Sequence, residues 1–486
     1  MKTFRFSFIL VLVWLLVGCG VEGETATAVS TALSTAVLTH VAVAANTAVP
    51  TPTHPPATET PIVTETAVST STISPTSTNT PQPTETPTST PTPLPPPPGE
   101  IYFFWDPKDL PRGEVIDPVQ NLYLISDKTG NGLESSPIVN EIIGWPYISL
   151  SPEKTTFVYT NLEDRNGDGH VSFEGYNRGF DGPNLFVYSR KDGSLTRITS
   201  DFPIIFNPEW GAGGQTILYG QSTYGLSSIS VADGVSRLIA SFPEDQITWT
   251  DVSPDGRLVA LNLDSIQISI VDTQTGEVTQ ITNEIGGIGV ERAWSPDSKW
   301  LILSQPITNQ IFLVNVETLT VSPLAGLDAF TSFAWKPDSR QLAFVQDTLE
   351  RSNLMSLDLT DLSIRQVLSV PGNIYSLLWS PDGLQLAMAI SDKEEVTLGV
   401  LDTENNSLRE LWQNEESRRF YIPAWSPDGE WLLFFRGRGL PLSHGPDDEA
   451  GLYLIHQSGG EVYMILDTSN TSDPYGFFWL PEIQVP

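Results

Sequence analysis

The densest run of potential cation ligands in the 486-residue chain is Asp164-Arg165-Asn166-Gly167-Asp168-Gly169-His170-Val171-Ser172-Phe173-Glu174. Oxygens at Asp164, Asn166 and Asp168 followed by Gly169 match the opening of an EF-hand-like calcium loop. There, alternate residues turn oxygen toward one hard cation and the glycine permits the sharp bend. The seventh position offers the carbonyl of His170, and Ser172 contributes directly or through water. The twelfth is Gly175, so the closing carboxylate must come from Glu174, one residue early, or from Asp181. On this reading calcium rigidifies a long insertion, 161–183. The competing reading is a hairpin of Asn-Gly and Asp-Gly turns with solvated acids.

Nucleophile chemistry has little material to work with. Of five histidines, His40 and His54 lie in a Thr/Pro-rich segment, which leaves His170, His444 and His456. No G-x-S-x-G elbow is present. Ser443-His444 precedes Asp447, Asp448 and Glu449, but a triad depends on convergence in space, not on adjacency in the chain. That run reads as a solvated acidic loop. No catalytic residue is assigned.

The only cysteine, Cys19, cannot close an intramolecular disulfide or build a cysteine metal cluster. Lys2 and Arg5 precede an apolar stretch from Phe6 to Val17, which has the form of a secretory signal and is too short for a permanent membrane span. Leu16-Val17-Gly18-Cys19 resembles a bacterial lipobox. The resemblance implies cleavage after residue 18 and a diacylated Cys19 as an anchor on the extracytoplasmic face of the cell-envelope membrane. From Gly20 to Pro98 more than half of the residues are Thr, Ser or Pro, with no Lys or Arg. So few large apolar groups cannot offset the entropy of ordering, so residues 19–98 read as a lipidated cysteine followed by a disordered tether. As a flexible coil it would span about 50 Å.

From residue 99 to 486 the chain repeats. AWSPDSKWLIL begins at Ala293, AWKPDSRQLAF at Ala334, LWSPDGLQLAM at Leu378 and AWSPDGEWLLF at Ala424. Weaker copies are SLSPEKTTFVY at Ser149, EWGAGGQTILY at Glu209 and DVSPDGRLVAL at Asp251, and FWLPE from Phe478 stops short. A spacing of forty-odd residues signals a propeller, solenoid or array. Within each unit, apolar runs of strand length flank a Pro-Asp-Gly turn, in which proline presets φ and Gly or Ser completes the reversal. Four short strands per unit make a propeller blade. Asp255, Asp297, Asp338, Asp382 and Asp428 hold a fixed turn position, so they belong to backbone hydrogen bonding. Trp210, Trp294, Trp335, Trp379, Trp425 and Trp479 recur once per unit and belong to the core. Trp249 and Trp412 fall outside that register and are better candidates for a binding surface.

The first unit lacks its Trp-SPDG strand, and the C-terminus supplies one, Tyr475 to Leu480. The expected fold is therefore all-β, an eight-bladed propeller of four-stranded blades with one blade closed by both termini. Seven blades result if the segments after residue 99 cap the ring instead. The repeats resemble the TolB-type propeller family, and also the noncatalytic propeller of prolyl oligopeptidase and dipeptidyl peptidase relatives. The resemblance covers roughly residues 99–486 and implies the fold far more strongly than any activity.

Residues 99–486 hold 53 acidic and 23 basic side chains, and the whole chain carries a formal net charge of −33. Nucleic-acid affinity comes from Lys and Arg neutralising phosphates, so a nucleic-acid partner is excluded. The expectation is a monomeric, membrane-anchored module that binds a protein, peptide or glycan without catalysis. The alternatives are a lyase or hydrolase using channel carboxylates, and a TolB-like partner in an envelope complex.

Overall fold

The computed structural model describes residues 98–106, 119–126, 133–143, 146–163, 182–199, 205–221, 225–242, 247–263, 267–282, 291–305, 310–324, 332–348, 351–392, 395–414, 420–437, 450–469, 471 and 473–483. Contacts divide the chain at Pro93/Leu94, and all described residues belong to the second unit. Residues 1–97, which hold the expected signal, Cys19 and all but the last residue of the expected tether, lie outside them.

Those residues form eight four-stranded antiparallel sheets. In chain order from residue 148, blades 1 to 8 begin with the inner strands Ile148–Leu150, Ile205–Trp210, Ile247–Val252, Glu291–Trp294, Phe333–Trp335, Asn373–Trp379, Phe420–Trp425 and Tyr475–Leu480. Inner strands of neighbouring blades approach one another around the axis, while the fourth strands form the outer rim. The fold is an eight-bladed β-propeller, and the seven-blade alternative is set aside.

Blade 8 is composite. Its inner strand, Tyr475–Leu480, pairs antiparallel with Glu100–Trp105, with Ile101 opposite Trp479 and Glu100 opposite Leu480. Val119–Ser126 and Glu134–Ile143 complete the blade. One hydrophobic cluster joins Ile101, Phe103 and Trp479 of blade 8 to Trp431, Leu433 and Phe435 of blade 7. Another joins Tyr102, Phe104 and Leu480 to Phe157 and Tyr159 of blade 1. Each twisted sheet buries both faces only against its neighbours, and the ring satisfies that condition for every blade.

A guanidinium clasps the closure point. Arg190 of blade 1, with 1% of its side chain exposed, lies 2.8 Å from Glu100 Oε2. It also donates to the Pro481 carbonyl at 2.7 Å and to Tyr102 Oη at 3.2 Å, and makes a further bond to the Lys154 carbonyl. One side chain thus joins blade 1 to both chain ends in blade 8.

The recurring motif residues have the expected roles. Ser295 Oγ and Lys299 N–H both donate to Asp297 Oδ1, at 2.6 and 3.1 Å, and the pattern recurs at Asp255, Asp382 and Asp428. Asp338 accepts from the Arg340 N–H at 2.9 Å. The turn's last position is left-handed, at φ 71° for Gly256 and 62° for Ser298. Glycine adopts this conformation freely, whereas serine there carries strain. Ser298 has a compensating role, since its Oγ accepts the Asp255 N–H of the preceding blade at 3.0 Å. The tryptophans also join blades: Trp210, Trp294, Trp335, Trp379 and Trp425 donate their indole N–H to the carbonyls of Ser149, Asp251, Ala293, Ala334 and Leu378 in the preceding blade.

Glu163 pairs with Gly182 at the ends of the second and third strands of blade 1, so residues 164–181 connect two strands of one blade. Residues 107–118 of blade 8 and 438–449 of blade 7 connect the same pair of strands. The three attachment points therefore share one face of the ring on three consecutive blades.

Candidate functional site

The inner strands carry mostly half-exposed residues, as expected where strands line a solvent-reached channel. Two residues before the turn serine or its equivalent, blades 1 to 8 read Ser149, Glu209, Asp251, Ala293, Ala334, Leu378, Ala424 and Phe478. Charge therefore enters this position only in blades 2 and 3. Blade 4 adds Arg292, one residue before Ala293, and Tyr147 lies at the start of the blade 1 inner strand.

Two pairs of these side chains meet across blade boundaries. Ser149 Oγ donates to Glu209 Oε2 at 2.5 Å across the blade 1–2 boundary. Arg292 Nε lies 3.7 Å from Asp251 Oδ2, close enough to attract but long for a hydrogen bond. The Arg292 guanidinium sits over Trp249, 4.1 Å from the ring centroid, as a cation–π contact. Trp249 Nε1 is buried and finds no hydrogen-bond partner among the described residues. Tyr147 keeps 49% of its surface exposed.

The surroundings control ionisation. Burial is the main cause that pushes the Glu209 carboxyl up from 4.5 to about 7; the Ser149 hydroxyl opposes the change and the Asp251 charge adds to it. Burial likewise raises Asp251 from 3.8 to about 6, with Arg292 opposing. The Asp251 side chain retains 31% exposure, so water reaches it although protein surrounds it on most sides. Tyr147 is raised mainly by burial, against the pull of Arg292, with Glu209 and Asp251 adding to the rise. The arrangement is an acid pair that changes charge near neutrality, beside one guanidinium and one phenol.

The residues expected to bind calcium, Asp164, Asn166, Asp168, His170, Ser172 and Glu174, lie outside the described residues, as do Asp181, Cys19 and Ser443-His444. At the root of the insertion Glu163 is already engaged, accepting from Asn184 Nδ2 at 2.6 Å and pairing with Arg197 at 2.5 Å. Among the described residues no three His, Cys, Asp or Glu side chains gather in a metal-binding group.

Trp412 corrects an expectation. It stacks on Phe420 at 5.6 Å and lies 5.2 Å from Phe434, so it packs blade 6 against blade 7 and is no binding platform. Trp249 does belong to the site, as the seat of Arg292. His456 has Ser458 Oγ 2.6 Å from Nδ1 and Glu430 Oε2 3.2 Å from Nε2. Its Nδ1 also accepts the Ser458 N–H, the turn role that Asp272, Asn315, Asp358 and Asp402 fill in other blades. The turn accounts for this arrangement.

Glu209 and Asp251 were visible in the sequence only as letters in two of the three weaker motif copies. Aligning the eight copies by turn and noting which carry charge at an otherwise small or apolar position would have singled them out.

No protein-family model and no curated protein matches the chain. Among solved structures, the chain is similar to a eukaryotic initiation factor, at 12% identity over 79% of this chain and 98% of that one, with a TM-score of 0.53. An oligogalacturonate lyase in complex with manganese aligns at 13% identity over 70% and 95% of the two chains, with a TM-score of 0.44. TolB from Acinetobacter baumannii aligns at 16% identity over 66% of this chain and 64% of its own, with a TM-score of 0.34. Likeness at this level is one of fold alone, and the lyase and TolB alignments carry no argument about function. The class that fold and sheet topology define is the eight-bladed β-propeller. Among the described residues no helix is long and apolar enough to cross a membrane.

Proposed function

We propose that this protein is a noncatalytic binding module held on the extracytoplasmic side of a membrane by a lipid on Cys19, with residues 20–98 as its tether. The propeller offers its channel to a protein, peptide or glycan ligand. One observation carries the reading: Glu209, Asp251 and Arg292 on the inner strands of blades 2 to 4, with Tyr147 just before that of blade 1, lie near enough to shift one another's ionisation, although the repeat itself needs none of them. Perturbed acids beside a few polar groups are a recurrent feature of ligand sites. Both chain ends close blade 8 within one chain, which supports a monomer. Calcium in the 161–183 insertion would rigidify a loop on the face shared by blades 7, 8 and 1.

The test is affinity capture from an envelope extract by the full-length protein, compared with Glu209→Gln and Asp251→Asn, with calcium and with EDTA. A partner retained by the wild type and lost by both variants supports the reading; equal recovery by all three refutes it. Cys19→Ala should move the protein from the membrane fraction to the soluble fraction. Unchanged sedimentation refutes the anchor.

The acid pair also favours a second reading. Two carboxylates titrating near neutrality suit general acid–base catalysis, as in a lyase or hydrolase. Turnover of a polysaccharide or peptide panel, abolished by Glu209→Gln, would favour this reading over binding.

A further inference from the structure

We infer that the entry of the tether into blade 8, from Pro98 to Trp105, is a tension-bearing joint that resists pulling between the lipid on Cys19 and a ligand held by the propeller. The inference rests on the anchored binding module proposed above and adds a mechanical role to it.

The first support is the place that the entering chain takes in its sheet. Glu100–Trp105 is the second strand of blade 8, paired antiparallel with Val119–Ser126 on one side and Tyr475–Leu480 on the other. Its side chains are buried alternately, Ile101, Phe103 and Trp105 against blade 7, Tyr102 and Phe104 against blade 1. The strand runs from the face where Pro98 lies toward the face where residues 107–118 attach, so tension across the ring acts along it. To leave, it must slide past both neighbours at once, with the bonds of two ladders loaded together and not one after another. A chain entering as the outermost strand would have one ladder to hold it.

The second support is a diverted indole. In five blades the motif tryptophan donates to a carbonyl on the inner strand of the preceding blade. By that pattern Trp479 would donate to Ala424 of blade 7. Its single N–H goes instead to the Pro98 carbonyl, at 3.0 Å. The bond that elsewhere ties blade to blade here holds the entering chain. Beside it, Gly99 has φ 105°, and a Cβ there would lie 2.5 Å from the Leu480 carbonyl oxygen. Only glycine lets the chain press this closely against the C-terminal strand.

The third support is a substitute for a covalent link. In blades 1 to 7 a turn of the chain joins the first strand to the second, whereas in blade 8 these two strands are Tyr475–Leu480 and Glu100–Trp105. Arg190 of blade 1 spans that break with charge-assisted bonds, to Glu100 at 2.8 Å and to the Pro481 carbonyl at 2.7 Å. Load arriving at Glu100 therefore passes both to the C-terminal strand and to blade 1. Pro98, Gly99 and Glu100 are thus each gripped, one after the other, where the tether ends.

The test is single-molecule force spectroscopy on the full-length, unlipidated chain. It is pulled between DNA handles on Cys19 and on Asp392→Cys, an exposed position of blade 6 on the face away from Pro98. Moving the first handle to the C-terminal strand, in Cys19→Ala with Glu482→Cys, loads a strand with one ladder, so first rupture should need about half the force. At constant force on the Cys19 handle, Trp479→Phe should shorten the time to first rupture about threefold or more, and Arg190→Met about tenfold or more. Trp335→Phe deletes the equivalent bond, to the Ala293 carbonyl between blades 4 and 5. It should lower the denaturant midpoint as Trp479→Phe does and leave the time to first rupture unchanged. The inference falls if the two handle positions rupture alike, if Trp335→Phe shortens the time as much as Trp479→Phe, or if neither Trp479→Phe nor Arg190→Met shortens it. Because the handles replace the lipid, such a failure leaves the anchor reading standing. Unchanged sedimentation of Cys19→Ala refutes that reading by itself, and the joint then has no lipid to resist and falls with it.

Discussion

Replacing Arg190 with methionine tests whether the ring is held shut where its two ends meet. Methionine keeps most of the aliphatic stem, so the change removes chiefly the charge and the donors. Glu100, with 13% of its side chain exposed, would lose its cation, and the Pro481 carbonyl and Tyr102 hydroxyl would each lose a donor. Removing one partner of a buried ion pair costs about 3–5 kcal/mol, and the remaining access of water to Glu100 favours the lower end, about 3 kcal/mol. With about 2.1 cal/mol/K per residue over roughly 380 residues, the melting temperature would fall by about 4 °C. The loss should be local first, because Arg190 joins blade 1 to the strands that close blade 8. Hydrogen exchange should therefore accelerate at Glu100–Trp105 and Tyr475–Leu480 well before it does at Trp300–Gln305 in blade 4. Arg190→Met combined with Glu100→Gln should recover part of the stability, since no orphaned charge remains. Unchanged protection of Glu100–Trp105 in Arg190→Met, or a stability loss below about 1 kcal/mol, would refute the clasp.

Three further outcomes are expected. Glu209 and Asp251 have folded pKa values above their ordinary ones, so between about pH 4 and 7 the folded state binds more protons than the unfolded state, and their contribution to stability falls as pH rises through that window. Glu209→Gln should match the wild type near pH 4.5 and exceed it at pH 8 by at most about 3 kcal/mol, the equivalent of moving Glu209 from 4.5 to about 7; a constant difference in chemical denaturation across pH would contradict this. His456→Asn should lie within about 0.5 kcal/mol of the wild type because asparagine fills the same turn role in blade 4, whereas His456→Ala should lose about 1 kcal/mol, both read from denaturant midpoints. Trp379→Phe should cost about 1–3 kcal/mol in thermal unfolding by deleting the indole bond to the Ala334 carbonyl and leaving a void between blades 5 and 6; a neutral result would remove the indole from the list of inter-blade ties.

How much of this was legible in advance varied with the range of the interaction. The turn roles of Asp297 and Ser298 could be read because a Pro-Asp-Ser turn is decided within a few residues. The pairing of Tyr475–Leu480 with Glu100–Trp105 was the leading expectation as well, because a repeat short of one strand at one end and holding one spare at the other is completed by joining them, but a seven-bladed ring capped by the first segments was left open until the strand pairing was seen. Trp412 was misjudged: standing outside the tryptophan register does not reveal exposure, which depended on Phe420 and Phe434 arriving from the next blade.

The sequence by itself determined the repeat and its strand-and-turn content, since local turn chemistry and periodic apolar runs recur in every unit. Only the tertiary structure decided which acids stand near one another across blade boundaries. Glu209, Asp251 and Arg292 are some forty residues apart from one to the next, and their proximity, like the raised affinity of the two carboxyls for protons, exists only once neighbouring blades stand side by side and exclude most of the water between them.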